Sequence, residues 1–278
     1  LKNKPYVCGK RENLMEIIIG YILAFIIGII INLLGGGGSI LTVPVLVYVL
    51  KINPHEATSY SLFLVGVSSL IASVDNALKK TILYKQALIF AFPAFLVTYA
   101  MRKYVIPLLP DVLIVNDYFV LSKSTGIMLF FSIVMLLTSI TSIRGRRDPG
   151  NEVPDDFNYP LIFIQGIIVG LITGFVGAGG GFLIIPAMVF LAKIPMKNAI
   201  STSLLVIAIN ATFGFIGDFN DSLIIDWNFL LTYVGFAIAG VLFSGIFKDK
   251  ISNTLLRKSF GYLILILAIL VIYMELFR

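Results

Sequence analysis

Cysteine occurs once in 278 residues, at Cys8, and histidine once, at His55. A single cysteine excludes an internal disulfide and any metal site built from several thiolates. A single histidine, beside Pro54 at the start of an apolar run, leaves no nucleophile–base pair and no ligand cluster of the kind an intramembrane hydrolase needs. Neither an enzyme nor a cofactor is therefore expected, and His55 reads as a helix-start residue. No G-x-x-x-x-G-K-[ST] pattern is present, so the chain has no phosphate loop for ATP. Charge is scarce as well. Charged residues make up 13% of the chain, where ordinary globular domains carry about 25%.

What remains is apolar. Hydrophobic residues account for 58% and the mean hydropathy is +0.98. The apolar residues fall in long, nearly uncharged runs, and about 20 such residues in a helix cross a hydrocarbon core of roughly 30 Å. The expected fold class is all-α, a polytopic transmembrane helical bundle of the cell membrane with the lipid bilayer as its surroundings. The net charge of +6 comes from basic residues clustered between the runs, where topology signals sit. Nucleic-acid binding is not expected. The run at 14–34 is long for a signal-peptide core and lacks a small-residue cleavage site.

The sequence is written twice. At an offset of 142, "GGGGSILTVPVLVYVLKINPHEATSYSL" aligns without gaps on "GAGGGFLIIPAMVFLAKIPMKNAISTSL", with Pro44 on Pro186 and Lys51 on Lys193. Upstream, Gly28 matches Gly170. Further on, "KSTG" from Lys123 matches "KSFG" from Lys258 at an offset of 135, so the first copy has about seven extra residues, assigned to a loop near 107–121. The expected organisation is a polar tail 1–13, a first repeat 14–143, a charged linker 144–157 and a second repeat 158–278. Each repeat has five apolar segments, near 14–34, 39–50, 55–74, 84–103 and 123–143, then 158–175, 180–192, 197–217, 227–247 and 253–276. The second segment of each is too short to span alone, follows a glycine run and contains a proline. Short, Gly/Pro-broken segments at matching places in two halves point to a transporter binding site.

Orientation follows from charge. If the short segments carry the chain across, each half crosses an odd number of times and the repeats are inverted; if they are re-entrant, the repeats are parallel. With the linker inside, the inside loops hold Lys79, Lys80, Lys85, Arg144, Lys193, Lys197 and a basic cluster at 248–258. The outside loops then hold Lys51, Arg102, Lys103 and Lys123. That bias favours inversion, although the basic tail runs against it.

The glycine runs are the candidate site. A helix that restarts after them aims free N–H groups and a partial positive charge at whatever lies there, which suits an anion without any lysine or arginine. Gly36, Gly37, Gly38 and Ser39 form one break, and Gly179, Gly180 and Gly181 the other. The third segments add a small and polar stripe: Ser61 and Ser68 in the first half, Ser203 and Asn210 in the second. Hydroxyls and an amide can donate to oxyanion oxygens; such stripes also serve close helix packing. Glu16, Glu56, Asp75, Asp218 and Glu275 all fall near segment ends and read as exposed helix-end carboxylates.

The duplicated motif resembles the sulfite exporter TauE/SafE family of membrane permeases. "GAGGG" at 177–181 with Leu183, Pro186, Ala199, Thr202, Ser203 and Leu204 carries the likeness. In the first half it rests on glycines 35–38, Leu41, Pro44, Ala57, Ser59, Ser61 and Leu62. Tyr60 stands where the pattern has threonine, and Ser39 stands opposite Gly181. The resemblance implies a permease that exports small sulfur-containing anions such as sulfite, sulfonates or sulfoacetate. The nearest alternative is a channel or carrier for another small anion, or for a cation, whose site would want midplane carboxylates or helix C-termini. A homo-oligomer is compatible with the sequence.

Overall fold

The apolar runs are helices in the computed structural model, which describes residues 14–35, 38–110, 112–116, 119–144, 157–177, 179–218, 225–246 and 253–276. In chain order these form α1 (Leu14–Leu34), α2 (Ser39–Val49), α3 (Pro54–Leu78), α4 (Tyr84–Leu108), β1 (Val112–Asn116), β2 (Phe119–Ser122) and α5 (Lys123–Arg144). There follow α6 (Tyr159–Val176), α7 (Gly181–Pro186, continued by the wider turn Ala187–Leu191), α8 (Met196–Gly217), α9 (Trp227–Gly245) and α10 (Asn253–Leu276). Among the described residues, seven helices are long and apolar enough to cross a membrane. The polar tail, and the linker apart from its two ends, lie outside the described residues.

Local chemistry sets the helix starts. Asn53 caps α3 by accepting from the His55 N–H at 3.0 Å, with Pro54 in the first turn. Asn158 and Asp226 cap α6 and α9 in the same way, through the N–H groups of Leu161 and Phe229. Short polar side chains at these places satisfy N–H groups that have no partner within the helix. Both short helices pass through a proline, Pro44 or Pro186, into a wider π turn. A proline has no N–H to donate, which favours such local widening. Each π turn ends at a left-handed lysine, Lys51 (φ 56°) or Lys193 (φ 55°).

Helices α3 and α8 form the centre and are the most deeply buried of the long helices. They lie antiparallel, because Ser59 near the start of α3 donates to Asp218 at the end of α8, while Ser201 near the start of α8 donates to Asn76 near the end of α3. Around this pair α1 packs on α9, α4 on α6, and α5 on α10. Glycines permit the closest approaches. A Cβ on Gly28 would lie 1.9 Å from the Ala237 carbonyl oxygen, and one on Gly170 would lie 2.6 Å from that of Ala94. Such backbone contact is how helices associate where lipid gives no hydrophobic drive. Ile22, Leu88, Phe92, Leu137, Leu231 and Leu242 stay exposed on the outer faces, as lipid contact requires.

One sequence expectation is corrected, and one departure is explained. The loop near 107–121 is partly ordered: α4 runs on to Leu108, and β1 and β2 pair antiparallel. The β-branched run Val112, Ile114, Val115 and Val120 favours extended backbone over helix. Tyr60, the departure from threonine, takes the same structural part as its counterpart. Its hydroxyl accepts from the Asp226 N–H at 2.9 Å, while the Thr202 hydroxyl accepts from the Leu83 N–H at 3.0 Å. Each thus holds the entry of a helix from the other half. Tyr60→Phe should lower the unfolding free energy by about 1 kcal/mol, read from equilibrium unfolding in detergent micelles.

Candidate functional site

The helix faces that carry the polar stripes meet the second glycine break through Val65 and Ile207. On α3, Ser61, Val65 and Ser68 share one face by helical spacing; on α8, Ser203, Ile207 and Asn210 do the same. A Cβ on Gly179 would lie 2.7 Å from Val65 Cγ1 and 3.5 Å from Ile207 Cγ2. The break therefore abuts both stripes near the α3–α8 crossing, where Gly66 meets Ala211 and Thr212. The short helices α2 and α7 also touch each other. Neither has a side chain capping its N-terminus.

Several buried polar groups on these helices have no partner among the described residues. The hydroxyls of Ser39, Ser61 and Ser68 and both ends of the Asn210 amide are fully buried and unbonded. Thr42 on α2, Ser69 on α3 and Thr173 on α6 share that condition. Thr173 lies against the break itself, since a Cβ on Gly180 would come within 2.1 Å of its Oγ1. These three had no distinct sequence signal, because threonines and serines in apolar helices usually bond their own backbone. Leaving a buried polar group unbonded costs about 1–3 kcal/mol. A cluster of them is the mark of a place completed by something else.

The remaining sequence-predicted residues divide as follows. Gly38 and Gly181 stand at the starts of α2 and α7. Ser203 is bonded to backbone, its one hydroxyl proton shared between the carbonyls of Gly35 at 2.9 Å and Ile200 at 2.8 Å. It steadies the residue that opens the first break. Gly36 and Gly37 lie outside the described residues.

The sequence reading missed an ion pair. Arg102, counted there as an outside-loop cation, is 2% exposed within α4, and Asp218 is 4% exposed rather than a solvated helix end. Arg102 Nη1 lies 3.0 Å from Asp218 Oδ2 and 3.1 Å from Thr58 Oγ1. The wider turn Met101–Val105 carries the arginine, and its guanidinium rests on Gly177, where a Cβ would lie 2.1 Å from Nη2. Asp75, by contrast, is partly solvated and pairs with Lys79 one turn on.

Apolar spans, short broken helices that touch each other and unbonded polar groups around them define a polytopic membrane transporter. Residues 20–271 match the family described as sulfite exporter TauE/SafE. The chain belongs to that family. It is 28% identical over 256 residues to a probable membrane transporter protein of Xylella fastidiosa strain 9a5c, covering 89% of this chain and 92% of the relative. It is 30% identical over 204 residues to one of Methanocaldococcus jannaschii, covering 70% and 69%. A third, from Bacillus subtilis strain 168, is 25% identical over 281 residues, covering 92% and 96%. No solved structure matches the chain.

Proposed function

We propose that this transporter moves a small sulfur-containing oxyanion, of the sulfite, sulfonate or sulfoacetate kind, bound between two inverted repeats, 14–143 and 158–278. The observation that carries this reading is the set of buried, unbonded donors of Ser61, Ser68 and Asn210 on two faces that border Gly179. The N-termini of α2 and α7 add partial positive charge from their backbone dipoles. The family description supplies the sulfur oxyanion class.

Inversion is supported by the antiparallel central pair. The offset of 142 maps Ser59 onto Ser201 and Asn76 onto Asp218, so the contact Ser59–Asp218 exchanges with Ser201–Asn76. It also maps the Gly35–Ile200 contact onto Gly177–Thr58. Two helices that exchange by a two-fold rotation and run antiparallel have their axis across the helices, hence in the membrane plane.

The test is ligand-induced stabilisation of the purified chain by sulfite, thiosulfate, sulfoacetate, taurine and sulfate. Asn210→Leu and Ser68→Ala remove groups that have no partner among the described residues, so the ligand-free thermal midpoint should hold or rise. Stabilisation by the oxyanion should fall at the same time. Stabilisation by cations alone, or unchanged oxyanion binding in both variants, would sink the assignment.

A further inference from the structure

The Arg102 guanidinium is only half used. Nη1 is bonded to Asp218 and Thr58. Nε and Nη2 are buried and have no partner among the described residues. These two nitrogens form the side edge of the guanidinium, whose parallel N–H groups match two oxygens of one oxyanion. Buried donors of a cation are costly to leave unbonded. The edge lies against Gly177, the residue that opens the second break, two positions before the Gly179 contact with the polar stripes.

The two ends of the α3–α8 pair are chemically unequal. At the offset of 142, Arg102 corresponds to Ser244 and Asp218 to Asn76. Ser244 accepts from the Asn32 amide at 2.9 Å, and Asn76 accepts from Ser201 at 3.1 Å. The counterparts of Arg102 and Asp218 are thus neutral side chains, whereas Arg102 and Asp218 carry full charges.

We infer that Arg102 is a second binding station for the transported oxyanion, at the Gly177 end of the path, with its Nε–Nη2 edge as the recognition element. The inference rests on the oxyanion reading above. Asp218 and Thr58 fix the guanidinium plane through Nη1, and the opposite edge has no partner among the described residues. Asp218 also offsets the positive charge, which keeps the station weak enough for the anion to leave again. A forked donor edge favours an oxyanion over a spherical halide.

The experiment titrates sulfite, thiosulfate, methanesulfonate and chloride against the purified full chain, reading dissociation constants and thermal midpoints. Arg102→Lys keeps the charge beside Asp218 but removes the fork. Its oxyanion affinity should fall by about tenfold, with chloride unchanged, because the bidentate contact is lost. Asp218→Asn should bind oxyanions more tightly than the wild type, which a purely structural arginine would not produce. The double variant Arg102→Ser, Asp218→Asn copies the opposite end and keeps the fold testable. It should lose the oxyanion preference. Wild-type binding in Arg102→Lys and the double variant, while Asn210→Leu loses it, would overturn the role of Arg102 and leave the central site standing. A wild-type chain that binds none of the three oxyanions would remove the oxyanion reading, and this inference with it.

Discussion

Arg102→Ala should lower the unfolding free energy by about 3–5 kcal/mol, the range for removing one member of a buried ion pair. Asp218 is 4% exposed and would be left buried with Ser59 as its remaining bonded partner among those described. Asp218→Ala should cost a similar amount, because it strands the guanidinium. The double variant Arg102→Ser, Asp218→Asn should recover most of the loss. Replacing a whole buried pair is often neutral, whereas breaking it is not. A double-mutant cycle on equilibrium unfolding in mixed micelles measures the coupling. Additive losses would mean that the two groups are not coupled through their contact. The result matters for function, since full charges inside a membrane protein are costly and mark transport pathways more often than packing.

The helices were legible because hydropathy is a local property. The segments at 14–34 and 39–50 became α1 and α2 within a residue, since an apolar run in lipid has no option but to bond its backbone internally. The partners of individual side chains were not legible. Arg102 precedes Lys103 and Tyr104 and lies close to Pro107, a pattern that looks like the end of a helix. The helix instead continues to Leu108 through a π turn, and that turn places the arginine inside. Nothing local announces it, because Asp218 is 116 residues away. Tyr60 departs from the threonine of the pattern at Thr202's counterpart. Only the cross-half contacts show that a phenol and a short hydroxyl each hold the entry of a helix from the other half. That Ser61 and Ser68 share one face, and Asn210 lies on its counterpart, was legible from spacing because a stripe on a helix is periodic. Ser203 lies on the same stripe, yet it bonds to Gly35, a distinction that spacing cannot make.

Gly177→Ala is the second large expected effect, and it separates a built loop from a flexible tether. Gly177 has φ +75°, in the left-handed region, and follows the last residue of α6. Its N–H donates to the Thr173 carbonyl at 2.8 Å, which fixes the end of that helix. An alanine there meets Arg102 Nη2 at 2.1 Å and Thr58 Cβ at 2.4 Å from the ideal Cβ position. Left-handed backbone costs a residue with a Cβ about 1–2 kcal/mol, and overpacking adds about 1–3 kcal/mol. The expected loss is therefore about 2–5 kcal/mol in unfolding free energy. Gly235→Ala is the matched comparison. It lies within α9 with nothing within 4 Å of a new Cβ, so alanine should raise stability by about 1 kcal/mol through helix propensity. Equilibrium unfolding of the two variants decides the matter. Equal tolerance at both positions would mean that the chain at 177 can take another path, as a tether could. A loss confined to Gly177 means that the glycine holds a fixed turn whose missing side chain leaves room for the arginine beside it.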